Sequence, residues 1–268
     1  MCRLSLARLL GSAAITALLA IGLGGCKTMG DITGSLTSKS DTAGETDPRR
    51  AAEVYGERYR TNPRDAEAAL RYGTALRANG QRAQAAAVLE QASLAHPGNK
   101  QLLAAYGRAL ADNGNFQQAF DVLSRAHSPD NPDWRILSVQ GTALDQMGKH
   151  EEARGYYASA LRIAPDEPSV LSNLGMSYVL SRELPRAEET LRKAQATGRA
   201  DTRVRQNLAL AVGLQGRFAE AETIARADLP PDEAAANVAI LKQMLARKDH
   251  PRTAARGKPP VVAQDASD

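Results

Sequence analysis

Between residues 47 and 247 the apolar positions fall into short amphipathic stretches, interrupted at regular intervals by glycine and proline. The intervals are equal. Gly73, Gly107, Gly141 and Gly175 stand 34 residues apart, and Ala209 continues the column. Ala85, Ala119, Ala153, Ala187 and Ala221 form a second column at the same spacing. A third runs Gly80, Gly114, Gly148 and, two periods later, Gly216, with Arg182 in the gap. Leu89, Leu123, Tyr157 and Leu191 make a fourth, and Ala92, Ala126, Ala160 and Ala194 a fifth. Five columns in one register define a unit of the size at which helical hairpins stack into a solenoid.

Each column has a physical reading. Glycine inside a helix costs about 1 kcal/mol against alanine, so the Gly73 column predicts a neighbouring helix at close approach, with the Ala85 column facing it. Gly80 and its successors fall where the apolar period breaks, which predicts left-handed caps or turns. Pro63, Pro97 and Pro165 end the second helices and open the next unit. The unit is therefore two antiparallel helices. Five units span about Ala66 to Asp232. Ala51 and Tyr55 lie one period before Ala85 and Leu89, so Asp47–Arg60 is expected as a second helix without its first. Leu229-Pro230-Pro231 interrupts the fifth unit, and Asp232–Arg247 is expected as a polar-faced capping helix.

The columns resemble the tetratricopeptide repeat (TPR), which has two antiparallel helices per unit, small residues at the close contacts and proline at the boundary. The tryptophan that the family places in its first helix is replaced by Ala69, Leu103, Leu137, Leu171 and Arg205. The resemblance implies an all-α chain, a right-handed superhelix of tandem TPR hairpins over residues 48–247. Its concave face would be lined by the first helices and would receive a peptide or helix of a protein partner. By register, the inward-pointing set is Arg71, Thr74, Arg108, Ser138, Thr142, Asn173, Met176, Asn207 and Leu210. Asn173 and Asn207 share a column; each amide either holds a peptide backbone or bonds the neighbouring helix end. The basic clamp some family members use for C-terminal carboxylates is not matched, since Leu70 and Thr74 stand where that pattern has Lys and Asn.

Composition narrows the chemistry. Hydrophobic residues are 43% of the chain but aromatics only 4%, which suits helices packed through small side chains better than a β-sandwich. The net charge of +4 comes from arginines scattered among acids rather than a basic stripe, so no nucleic-acid partner is expected. His96, His127, His150 and His250 show no metal-ligand spacing. No nucleophile elbow or phosphate loop occurs. The reading is a binding protein, not an enzyme, with no cofactor and no small-molecule substrate.

The N-terminus reads as an address. Arg3 and Arg8 precede an uncharged apolar run, Leu9–Leu23, then Gly24-Gly25-Cys26; this is the order of a secretory signal peptide, and the run is short for a membrane span. Leu23-Gly24-Gly25-Cys26 resembles the bacterial lipobox, which implies cleavage after residue 25 and acylation of Cys26; the alternative is an uncleaved anchor with an idle thiol. Lys27, where inner-membrane lipoproteins carry Asp, implies an outer-membrane protein facing the periplasm. Residues 26–47 form a polar tether, and residues 248–268, with Arg252, Arg256 and Lys258, a disordered tail.

The order of these segments resembles the TadD-type lipoproteins of tight-adherence (Flp) pilus systems. So do the strings Arg205-Gln206-Asn207-Leu208-Ala209-Leu210, Gly213-Leu214-Gln215-Gly216-Arg217-Phe218 and Ala236-Asn237-Val238-Ala239-Ile240-Leu241. That resemblance implies a scaffold for a secretin or another pilus-assembly component. A lipoprotein of the outer-membrane protein insertion machinery and an activator of a cell-wall enzyme are the competing expectations.

Overall fold

The structure, a computed structural model, describes residues 47–128 and 130–249. Cys26, the expected signal peptide, the tether before Asp47 and the tail from residue 250 onward lie outside the described residues. Within them the chain forms twelve helices: α1 (Pro48–Thr61), α2 (Ala66–Ala78), α3 (Arg82–Ala95), α4 (Lys100–Asp112), α5 (Phe116–Ala126), α6 (Trp134–Gln146), α7 (His150–Ile163), α8 (Pro168–Leu180), α9 (Leu184–Ala196), α10 (Thr202–Leu214), α11 (Phe218–Ala225) and α12 (Pro231–Asp249). A single isolated β-bridge, Ser128 to Asn131, lies in the loop before α6. Among the described residues no helix is long and apolar enough to cross a membrane.

Each hairpin begins and turns in the same way. Asp65, Asn99, Asp133, Glu167 and Asp201, themselves one period apart, cap the first helices by accepting backbone N–H groups of the first turn. These bonds satisfy donors the helix cannot satisfy itself. At the turn into the second helix, Gly80, Gly114, Gly148 and Gly216 take φ of 75°, 84°, 77° and 82°. The next residue closes a bond back across the turn, as Gln81 N–H does to the Leu76 carbonyl at 2.9 Å, the geometry of a Schellman cap. In the fourth hairpin Arg182 adopts φ 65° without the freedom of glycine.

The mid-helix glycines set the packing distance inside each hairpin. A Cβ on Gly73 would overlap Leu89; on Gly107 it would lie 2.5 Å from Leu123 Cγ, on Gly141 2.6 Å from Tyr157 Cε1, and on Gly175 2.6 Å from Leu191 Cγ. The facing column is therefore Leu89, Leu123, Tyr157 and Leu191, not the alanines expected from the sequence. Alanines 85, 119, 153, 187 and 221 are buried on the same helices, but Ala119 meets Gly107 only through its carbonyl oxygen, at 3.4 Å. A branched side chain fills the notch more completely than a methyl group does, which is why the larger residue lies opposite the glycine.

Each second helix packs on the first helix of the next hairpin, α3 on α4, α5 on α6, α7 on α8 and α9 on α10. The first helices also touch in series, α2 to α4, α4 to α6, α6 to α8 and α8 to α10. A buried ion pair, Arg77 Nε to Asp112 Oδ2 at 2.6 Å, joins α2 to α4. At the far end α11 is short, and α12 packs across the last hairpin, placing Leu241 Cδ2 2.5 Å from where a Gly213 Cβ would be. Arg205, in the place of the family tryptophan, holds the turn after α11 through Asp228, with Nε to Oδ2 at 2.7 Å.

Two substitutions test this packing. Gly141→Ala should lower stability by about 1–3 kcal/mol through overpacking, read as a lower urea midpoint. Arg182→Gly should raise it by about 0.5–1 kcal/mol, by removing left-handed strain of about 1–2 kcal/mol at a smaller entropic cost.

Candidate protein-binding groove

Because the first helices contact each other in series, their outward turns form one continuous surface. On it lies a cleft of about 210 Å³ lined by residues that include Arg108 of α4, Trp134, Arg135 and Ser138 of α6, Ser169 and Asn173 of α8, Arg199 and Asp201 before α10, and Arg203 in its first turn. A wider hollow of about 290 Å³ sits by the α7 turn. There Arg154, Ser181 and Glu183 already bond one another: Arg154 to Ser181 at 3.0 Å, Ser181 to Glu183 at 2.9 Å and Arg154 to Glu183 at 3.2 Å. The first cleft is the better site, because Arg108 in it makes no hydrogen bond or ion pair with a described residue and Arg135 Nε has no hydrogen-bond partner.

The register-predicted residues divide into three groups. Arg108, Ser138 and Asn173 come together in the cleft. Arg71 and Thr74 are exposed at the N-terminal end, where Arg71 pairs with Glu67 at 2.7 Å and lies over the Tyr55 ring, and Thr74 bonds back to the Leu70 carbonyl. Met176 is half-buried against the core around Tyr178, and Asn207 and Leu210 are half-buried on α10. Thr142 differs from expectation. It is buried, donates to the Ser138 carbonyl and lies 3.3 Å from Tyr157 Oη, so it faces the hairpin interior.

The asparagine column bonds between helices. Asn173 Nδ2 donates to Ser138 Oγ at 3.1 Å and Asn207 Nδ2 to Ser172 Oγ at 2.9 Å, each reaching the preceding first helix. Of the two alternatives left open by the sequence, these contacts match the one in which the amide bonds a neighbouring helix.

Arg135, Ser169 and Arg203 belong to the cleft but were not among the residues expected there. They are one period apart, so the same arithmetic that found the other columns would have found them. Arg199 follows α9 in the connecting loop, one period after Pro165. Burial, reinforced by the charges of Arg77 and Arg135, pulls the Arg108 guanidinium down to about 10, so it stays charged at neutral pH. It makes no hydrogen bond or ion pair with a described residue.

Beneath the groove lies a polar cluster created by one exchange of Leu for Tyr in the fourth column. The buried Tyr157 hydroxyl needs a partner and donates to Asp145 Oδ2 at 2.9 Å. Asp145 Oδ1 lies 2.8 Å from His150 Nδ1 and accepts from Ser177 Oγ at 2.8 Å. The carboxylate, imidazole and hydroxyl resemble the parts of a hydrolytic triad but are wired differently. The fully buried Ser177 hydroxyl bonds the carboxylate rather than the imidazole, so no base is placed to activate it. The cluster instead fastens α6 to α7 and α8.

Tetratricopeptide-repeat family matches cover residues 73–133 and 144–211. The fold is similar to that of PilW, a widely conserved type IV pilus biogenesis factor, at TM-score 0.61 and 20% identity over 72% of this chain and 91% of that one. It is also similar to TTC0263, a thermophilic TPR protein in Thermus thermophilus, at TM-score 0.59 and 22% identity over 67% of this chain and 100% of that one. The APC/C hetero-tetramer Cut9–Hcn1 gives TM-score 0.59 and 16% identity over 74% of this chain, which spans 40% of the length of that one. No curated protein sequence matches the chain. Register, hairpin geometry and these similarities define an all-helical stack of tandem tetratricopeptide-type hairpins.

The buried Asp145 supplies a pH test. Burial raises its pKa above the ordinary 3.8, against the lowering effect of its hydrogen bonds. A group raised on folding contributes stability that is full below its unfolded pKa and is lost as pH rises through the folded value. The stability of the native chain minus that of Asp145→Asn should therefore fall as pH rises above the ordinary carboxylate range of about 4, measured by urea midpoints along the series.

Proposed function

We propose that the chain is a membrane-anchored protein-binding scaffold that assists assembly or positioning of the secretin of a Flp-type pilus secretion apparatus. The observation that carries this reading is the continuous face of stacked first helices with an open cleft at Arg108, Ser138 and Asn173. Such a face accepts an extended segment or helix of another protein. The pilus assignment is supported by the TadD-type strings in α10, the turn after it and α12, and by a fold shared with a type IV pilus biogenesis factor. The anchor is supported by Leu23-Gly24-Gly25-Cys26. A single acyl chain gives marginal binding and a second makes the attachment stable. Lys27 favours transfer to the outer membrane, with the repeats in the periplasm. The polar segment before α1 then separates the groove from the lipid surface.

The reading divides into anchor and partner. Cys26→Ser should leave the helical circular dichroism unchanged, move the protein from the membrane to the soluble fraction and reduce assembled secretin; full secretin assembly by the unacylated protein would reject the anchored role. Purification of the detergent-solubilised native chain should enrich a secretin or pilus component. Enrichment instead of a barrel-insertion protein or a peptidoglycan enzyme would keep the scaffold and discard the pilus.

A further inference from the structure

We propose that the cleft around Arg108 takes the carboxylate side chains of an extended acidic segment of the partner protein, a proposal that rests on the scaffold reading above and specifies its ligand. Half-buried cations elsewhere in the chain are matched. Arg77 meets Asp112, Arg154 meets Glu183 and Arg205 meets Asp228. Arg108 is not matched by any carboxylate of the described residues within ion-pair distance. An arginine withdrawn from water without an ion pair carries an uncompensated desolvation cost, and a ligand carboxylate removes it.

Arg135 adds a second unmet donor. Its Nε is buried with no hydrogen-bond partner, while its guanidinium stacks 4.6 Å from the Trp134 ring centroid. The nearest carboxylate, Asp133, stands at 4.0 Å, and the same oxygen already accepts the Arg135 backbone N–H as a helix cap. The cleft's own acids are similarly occupied: Glu167 and Asp201 cap α8 and α10. Asp133 and Asp112 act on Arg108 only from beyond ion-pair distance, and Glu167 also pairs with Arg199 at 3.6 Å. Arg108 on α4 and Arg135 on α6 thus line the groove without a close carboxylate partner of their own.

The spacing selects an extended peptide. Neighbouring packed helices lie about 8–10 Å apart, and an extended chain rises about 3.3 Å per residue. A carboxylate at every third residue therefore steps from one first helix to the next. Arginine's planar fork suits a carboxylate in two-point contact, and the Ser169 hydroxyl on the path can bond main-chain amides. A nucleic-acid backbone is disfavoured, because the chain's arginines are scattered among acids rather than gathered in a basic stripe.

Trp134, the single tryptophan in the chain, reports on the site by its fluorescence. The test titrates the full chain, in detergent and low salt, with a capped peptide of about nine residues carrying Glu at every third position. The matched Gln peptide and a short oligothymidylate serve as comparisons, with calorimetry as a second readout. The Glu peptide is expected to shift Trp134 emission and bind at least about tenfold tighter than the Gln peptide, with added salt weakening it. Arg108→Gln should abolish most of that preference, Arg108→Lys should keep part of it, and Arg162→Gln, on the exposed side of α7, should change nothing, all with unaltered circular dichroism. If Arg108→Gln disturbs the fold, Arg135→Gln serves as the second variant. Equal affinity for the Glu and Gln peptides, wild-type preference in the folded variants, or tighter binding of the oligonucleotide would overturn the proposal. Such a failure would remove the acidic ligand only; the anchored pilus scaffold stands or falls on partner enrichment and the Cys26 variant.

Discussion

The contact on which the structure depends is the one between a glycine without Cβ on each first helix and a large side chain on its second helix. Gly107 against Leu123 and Gly141 against Tyr157 leave no space for one more carbon. The pairing brings two backbones close enough to bury an Ala-rich interface that has few large side chains to offer. Because it recurs at a fixed period, each hairpin presents the same outer surfaces, and the next hairpin docks in the same way. The long face of first helices is a consequence of that repetition.

Variation on the repeat is where individual behaviour enters. Tyr157 occupies a leucine place and brings a hydroxyl into the core, so Asp145, His150, Ser177 and Thr142 are recruited to satisfy it. This polar part of the interior lies between α6, α7 and α8 of the third and fourth hairpins, with His150 at the hollow by the α7 turn. Arg205 replaces an apolar residue and is accommodated only because Asp228 folds back to meet it. The solenoid tolerates such exchanges because each unit contacts only its neighbours, so a local change is compensated locally.

The groove follows a different rule. Inside the third hairpin, Tyr157, Asp145 and Thr142 bond within the chain; along the stacked first helices, Asn173 and Asn207 stitch neighbours together while Arg108 and Arg135 are left with unmet bonding capacity. A surface stabilised by its own hydrogen bonds, whose carboxylates serve as helix caps, is suited to a partner that brings others. This separates rigidity, supplied by the serine–asparagine bonds, from recognition, supplied by the arginines.

The sequence by itself determined the helical class, the period, the hairpin unit and the turn positions, because periodic spacing and left-handed glycines are local properties readable without contacts. It also placed Arg108, Ser138 and Asn173 on the first helices in the correct register. The opposing partner of each glycine was decided only by tertiary packing: Ala85 and Leu89 lie one turn apart on the same helix, and the rotation of that helix selects the leucine. Packing likewise turned Thr142 inward, since a buried tyrosine hydroxyl one helix away needed company. Arg135 and Arg203 were legible in the register, whereas Arg199 became a cleft residue only when the loop after α9 folded against α8. Whether a charge is matched depends on distances between helices that local sequence does not encode, so only the tertiary structure separated Arg108 from the paired arginines around it.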